Sequence, residues 1–452
     1  MIIFLIITTK ITCLCILIKY LYLDLNKFNI MKKIITTLLV FVCFTSTVFS
    51  QTLDVSADIR PRFEYRHGYS APFPDDADPA AFVTQRTRLN MNYSSELLNI
   101  MVSVQDVSTW GDTRQILPID GNDSFSLFQA WAELNINENW STKVGRQTII
   151  YDNERIFGGL DWAMQGRFHD AALIKYRNDS FMADAGFAFS QTSQENTGTA
   201  YDVPGFFTYK TMQYLYAKKT WEKASASFLF LNNGFQKFDI NDEADGVYYT
   251  QTAGTYVKFP ISVLDFAGSF YYQFGKAYPL DVNLNAYELM LEGSYKPQNT
   301  LFALGFEILS GSDSGDSSSN SFFPLYGTNH GFNGFMDYFY VGNYANNAGL
   351  NDIYSKVVFK TGEKSSLLTA VHYFGANGDL PNDADSYLGT EIDLQYTHKL
   401  MKFATLKVGY SHMFASDSMS IVKGGVTNDN TNNWAWAMLV INPKLFSHKI
   451  AN

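Results

Sequence analysis

All ten arginines of this 452-residue chain lie between Arg60 and Arg177. Arg60, Arg62 and Arg66 alternate with Ile59, Phe63 and Tyr65, and Arg86 and Arg88 alternate with Leu89 and Met91. A guanidinium is planar and permanently charged, and its fork of N–H donors matches a carboxylate, sulfate or phosphate. A file of them along a narrow passage would attract anions and the hydroxyl-rich chains that carry them. Arg146, Arg155, Arg167 and Arg177 extend the candidate lining, and Arg114 completes the set. Asp58, Glu64, Glu133, Asp184, Asp265 and Glu288 are candidate acids on the same inner surface. The competing reading is that arginine and acid pair only to brace a wall.

Alternation with period two belongs to a strand with unlike faces. Asp58, Arg60, Arg62, Glu64 and Arg66 occupy one face of the first such segment. About eighteen segments of this kind run from 55–66 to 433–442, polar on one side and rich in Phe, Tyr, Leu and Val on the other. A charge facing lipid in mid-strand costs a few kcal/mol. The acids must therefore face inward, and the apolar side must face the membrane. The segment at 210–218 is ambiguous, because Tyr214 and Tyr216 suit either face. Short turns such as Asn137-Glu138-Asn139 and Asn178-Asp179 follow even segments, and long connections such as 152–166 and 310–349 follow odd ones. The expected fold is all-β: a transmembrane antiparallel β-barrel with short periplasmic turns and long extracellular loops.

Residues 1–50 stand apart. Met31-Lys32-Lys33, the apolar run Ile34 to Phe44, and Val48-Phe49-Ser50 before Gln51 form a secretory signal peptide over 31–50, with 1–30 an upstream segment. Cys13, Cys15 and Cys43 all fall there, so the mature chain has no thiol chemistry. Without these residues the chain carries 29 basic and 43 acidic side chains, a net charge near −14. That balance argues against a nucleic-acid partner. A single barrel is expected over 51–446, closed by Phe446, with 447–452 a trailing tail.

The 310–349 connection opens with a Ser/Gly/Asp run, then supplies Phe322-Phe323-Pro324-Leu325-Tyr326 and an aromatic stretch from Phe332 to Tyr340. It is either a surface loop or a lid folded over or into the lumen. Asn241 to Gly246 begins like a calcium loop but lacks the glutamate at the twelfth position, so it reads as a solvated acidic loop. No Gly-x-Ser-x-Gly elbow, phosphate-binding glycine loop or His-x-x-x-His pair is present. His372 and Ser411-His412 lack the partners of a lipase site. The expectation is no enzyme, no metal and no cofactor.

Lys143-Val144-Gly145-Arg146-Gln147, Tyr151-Asp152, Asp161-Trp162 and Gly166-Arg167, with Trp110-Gly111-Asp112 upstream, resemble the alginate-export family of outer-membrane barrels. The resemblance continues through Phe323-Pro324-Leu325-Tyr326-Gly327-Thr328-Asn329-His330 and Gly334-Phe335-Met336-Asp337-Tyr338-Phe339. It implies an eighteen-stranded barrel whose basic lumen passes an anionic polysaccharide outward by diffusion. One departure is that no arginine follows Arg177. Later segments instead place Asp184, Asp265, Glu288, Glu292, Glu391 and Asp393 on the inner face, with Lys356, Lys360 and Lys407. The lumen should be split into a basic wall and a mixed to acidic one.

The expected function is a passive porin or export channel for anionic or polyhydroxylated saccharide in the outer membrane of a Gram-negative bacterium. Its expected partners are membrane lipid, a saccharide or small-anion solute, the barrel-assembly machinery and a periplasmic delivery partner. The alternative is a non-conducting surface barrel whose acidic, aromatic-rich loops bind a ligand or partner.

Overall fold

The computed structural model describes residues 51–113, 124–203, 208–278, 281–328, 330–339, 347–424 and 429–450. The signal-peptide and cysteine readings, Arg114, Asn329 and Tyr340 lie outside them. The first strands are β1 (Gln51–His67), β2 (Ala80–Ser94), β3 (Leu98–Thr109), β4 (Phe125–Asn135), β5 (Trp140–Gln147), β6 (His169–Arg177) and β7 (Phe181–Phe189). β8 (Thr211–Thr220), β9 (Ser225–Phe238), β10 (Ala244–Ile261), β11 (Leu264–Ala277), β12 (Val282–Tyr295) and β13 (Thr300–Leu309) follow. β14 (Leu350–Gly362), β15 (Ser365–Gly375), β16 (Tyr387–Met401), β17 (Ala404–Ala415), β18 (Asn432–Ile441) and β19 (Lys444–Ile450) complete the wall.

From β1 to β18 each strand pairs antiparallel with its sequence neighbour, and β1 closes the ring against β18 and β19. β18 pairs with β1 from Ile59↔Ile441 to His67↔Asn433. Asn442-Pro443 then breaks the strand, since proline has no N–H for the ladder. Pro443 still accepts from the Ala57 N–H at 3.1 Å. β19 resumes the pairing, with Lys444 Nζ 2.9 Å from Asp54. β18 and β19 are therefore one interrupted stave, and the barrel has eighteen. The wall continues past Phe446 through residues that the sequence pattern leaves as a trailing tail.

Phe63, Leu89, Ile174, Phe187, Leu215, Phe228 and Leu304 are exposed on the outer face, as the alternation requires. Tyr214 and Tyr216 both point inward and are buried. Tyr214 lies across Gly186, and Tyr271, Tyr354 and Trp436 lie likewise across Gly254, Gly305 and Gly409 on neighbouring strands. In each case a large ring covers a position where any side chain would collide with it.

Two expectations change. β9 to β12 reach farther toward the loop end than the alternation suggests, so the connections there are shorter than 233–246 and 275–284. The lumen is also not uniformly wet. Residues 148–168 leave the wall after β5 and turn inward, and the described residues 321–328 and 330–339 of the long connection enter the lumen beside them. Phe157, Phe322, Tyr326, Met336 and Tyr338 are almost completely buried there. They pack against inward side chains of the wall, including Met212, Leu231, Leu309, Phe374 and Trp434. A barrel that folds its connections inside must cover apolar surface on both sides of its wall.

Candidate functional site: a strapped and plugged lumen

Residues 148–168 cross the lumen as a strap held at both ends. At one end Asp152 receives the Tyr216 hydroxyl at 2.9 Å, Lys218 Nζ at 3.1 Å and the Ser227 hydroxyl at 2.5 Å. Tyr151 stacks on Tyr216 with ring centroids 3.9 Å apart and donates to Asp184 at 2.6 Å. At the other end the strap meets the inner face of β1 to β3. Arg60 donates to the Asp161 carboxylate at 2.8 Å and to its carbonyl at 3.1 Å. Arg86 reaches the same carboxylate at 3.0 Å and Asp58 at 2.5 Å. Arg62 donates to the Trp162 carbonyl at 2.8 Å, and Arg88 to the Gln165 carbonyl at 2.9 Å. Burial alone would raise the Asp161 carboxyl, but Arg60 and Arg86 outweigh it and hold the group below the ordinary carboxylate range. Asp152, Glu154 and Leu160 all have positive φ. Such backbone is uncommon outside glycine and persists where contacts over-determine it.

The strap and the long connection are locked together. Phe157 and Tyr326 form a parallel bridge, and the Thr328 hydroxyl donates to Glu154 at 2.7 Å. Arg167 donates to the Gly327 carbonyl at 3.1 Å. Trp162 lies flat on His330, with centroids 4.0 Å apart, and the Arg62 guanidinium sits 4.1 Å from the Trp162 ring. Burial pushes the Tyr326 and Tyr338 hydroxyls well above their ordinary range, so both are neutral.

On the opposite wall, four of the five strands β12 to β16 carry buried acids: Glu288 on β12, Glu307 on β13, Asp352 on β14, and Glu391 and Asp393 on β16. Arg155, from the strap, donates to Glu307 at 2.7 Å and to the Asn333 side-chain oxygen at 2.9 Å. The Asn333 amide in turn donates to Glu307 at 2.7 Å and Asp352 at 3.1 Å. Met336 donates its backbone N–H to Glu391 at 2.8 Å, and His372 contacts Asp352 at 3.0 Å. Ser269 and Ser411 donate to Glu288 and Asp393 at 2.7 and 2.5 Å.

The structure sorts the candidate residues. Arg60, Arg62, Arg66, Arg86 and Arg88 share the inner face of β1 and β2, with Asp58 and Glu64 between them. Arg62 and Arg66 both donate to Glu64, at 2.8 and 2.9 Å. Arg155 and Arg167 lie in the strap, where they tie it to the long connection. Arg177 pairs with Asp184 at 2.5 Å on β6 and β7. Glu133 pairs with Lys175 at 2.6 Å. Asp265 opposes Pro260 on the inward register of β11. Arg146 is a correction. It pairs with Asp170 at 2.9 Å and shares its face of β5 with exposed Trp140 and Val144, so it points out of the barrel. Gly145-Arg146-Gln147 puts Gln147 on the inward register and Arg146 between its inward neighbours.

Sequence reasoning missed the inward lysines Lys143, Lys175 and Lys218, and the acids Glu307 and Asp352. Alternation alone could have found them, since each sits two residues from an inward neighbour. It could not have found the strap contacts, which join residues about a hundred positions apart. Between the strap and β1 to β3 lies a cavity of about 690 Å³ lined by Arg62, Arg66, Tyr69, Phe82, Trp162 and His330, among others. Among the described residues no group of histidines and acids is arranged to hold a metal ion.

A closed eighteen-strand antiparallel wall, apolar outside and strapped inside, defines an outer-membrane barrel of the porin kind. The sequence model of the alginate export family matches residues 51–433, and the chain belongs to that family. Its fold is similar to that of the outer membrane protein opdK from Pseudomonas aeruginosa, at 11% identity and a TM-score of 0.57 over 88% of this chain and 99% of that one. It is similar to OpdK solved with vanillate, at 12% identity and a TM-score of 0.54 over 87% and 99%. A BenF-like porin from Pseudomonas fluorescens Pf-5 aligns at 14% identity and a TM-score of 0.56 over 88% and 99%. No curated protein matches the sequence. Family and fold are those of transport channels.

Proposed function

We propose that the chain is a passive outer-membrane channel for anionic or polyhydroxylated saccharides, and that its β1–β2 wall selects for acidic groups. The observation that carries this reading is the file Arg60, Arg62, Arg66, Arg86 and Arg88 on adjacent inward faces. Arg66 is the member least covered by the strap. Its side chain is 33% exposed and borders the 690 Å³ cavity together with aromatic rings. Lys143, Lys175 and Lys218, on the strands beyond, continue the basic surface around the lumen. OpdK, one of the structural neighbours, was solved with vanillate, a small carboxylate, which fits the same chemistry in that protein. Membrane lipid, a Gram-negative host, the barrel-assembly machinery and a periplasmic delivery partner belong to this proposal.

Single channels in a planar bilayer test it. Stepwise conductance, preference for chloride over potassium, and block by oligouronates are expected. A second reading, a non-conducting surface barrel that binds through its loops, is favoured by the tightly packed plug of strap and long connection. A silent bilayer with no steps at any voltage would select it.

A further inference from the structure

Asp58, Arg60, Arg86 and Asp161 form a closed quartet in which two acids offset two guanidiniums. Three of the four belong to the wall; Asp161 is brought in by the strap. Their accessibilities are very unequal. The Arg86 side chain is fully buried and that of Arg60 is 12% exposed, whereas that of Asp161 is 67% exposed. What faces the open lumen here is thus a carboxylate lying over the guanidiniums. Asp161 makes one charge-assisted bond to each arginine, at 2.8 and 3.0 Å, as a bound uronate carboxylate would.

We propose that Asp161 is a carboxylate supplied by the chain itself, standing where a solute carboxylate would bind and limiting how long a passing acid group is held. This rests on the channel reading above and names the residue that tunes it. Because Asp161 offsets its share of the cationic wall, an incoming acid must compete with a tethered one. A tethered competitor has a high effective concentration and cannot diffuse away. The solute class implied is a chain of repeated carboxylates, such as a polyuronate, which must move from site to site without being trapped. Arg62 and Arg88 hold the strap through the Trp162 and Gln165 carbonyls, so removing the Asp161 charge leaves its backbone anchored.

The test compares full-length wild type, Asp161→Asn and Asp170→Asn in planar bilayers, with barrel assembly checked by heat-modifiable gel mobility. Asp170→Asn removes the same charge from a salt bridge to Arg146 on the outer face, and so controls for net charge. Oligouronate block events should last about tenfold longer in Asp161→Asn, the scale of one charge-assisted hydrogen bond. Chloride preference should rise, and block by a neutral oligosaccharide of equal length should not change. If Asp161→Asn fails to assemble, Asp161→Ser makes the same comparison. Equal block times in wild type and Asp161→Asn, or equal changes in Asp161→Asn and Asp170→Asn, would overturn the proposal. A wild-type channel that conducts without any block by uronates or preference for anions would instead count against the parent reading.

Discussion

The two walls of the lumen do the same job with opposite hydrogen-bonding chemistry, donors on one and acceptors on the other. On β1 and β2, guanidiniums donate to strap oxygens: the carbonyls of Asp161, Trp162 and Gln165 and the Asp161 carboxylate. On β12 to β16, carboxylates accept from groups that enter the lumen: the Met336 N–H, the Asn333 amide and the Arg155 guanidinium. An inserted segment without regular structure must satisfy its own backbone polar groups. A donor-rich wall suits carbonyls and an acceptor-rich wall suits N–H groups. Charge asymmetry in the sequence is thus partly a record of how two segments are held inside, as well as of what passes between them.

Breaking the acid wall should have the largest effect. Arg155→Met would leave Glu307 buried without its cation, at a cost of about 3–5 kcal/mol. Lower denaturant midpoints and new protease cuts within 310–349 would register it. Next, Arg62→Glu with Arg88→Glu would remove the donors to the Trp162 carbonyl and the guanidinium share of the Gln165 contact, leaving Arg60 on the Asp161 carbonyl. Larger conductance steps and a shift toward cations are expected, and unchanged steps would show that the strap does not restrict flow. Glu391→Gln should cost about 1–3 kcal/mol by weakening the bond from the Met336 N–H. Its signature would be faster hydrogen exchange around Met336, with ion preference unchanged.

Two smaller effects separate the walls by pH. Asp161 is depressed in the folded protein, so its grip on Arg60 and Arg86 is complete above about pH 4, its ordinary range, and fades as pH falls through the lower folded value. Lys423 follows the short helix α1 (Asp417–Val422) and donates to the Tyr338 carbonyl. Burial pushes its ammonium down to about 7. A lowered lysine value means the folded state gains as pH rises from about 7 toward 10, so protease resistance of 330–339 should increase over that window. Acid should loosen the strap first, while alkali should tighten the long connection. The smallest effect belongs to Arg146→Ala. Facing outward, it should leave ion selectivity at the wild-type value, and any shift in reversal potential would place it in the lumen after all.

The barrel was legible because alternation is a local property of each strand. The same alternation placed Asp184, Glu288, Glu391 and Asp393 inward. It failed where a residue's partner is distant in sequence or where a strand ends early. Gln147 ends β5 because the following residues turn into the lumen, and nothing local marks that turn. The arginine file was visible, but its use was not: Arg60 meets Asp161 across about a hundred residues. A polar face shows which way a side chain points. It does not show whether water, solute or another part of the chain lies in front of it.

The seam at β1 has a consequence for how the molecule is made. The upper half of β1 finds its partner in β18, but the half before Ile59 is matched by β19, beyond Pro443. The first strand of the wall therefore waits for residues 390 positions further along the chain. Until they arrive, β1 presents bare N–H and C=O groups, a template for any other strand. A chain stopped at Ile441 would hold nearly all of its wall and still be an open ribbon along its lower edge.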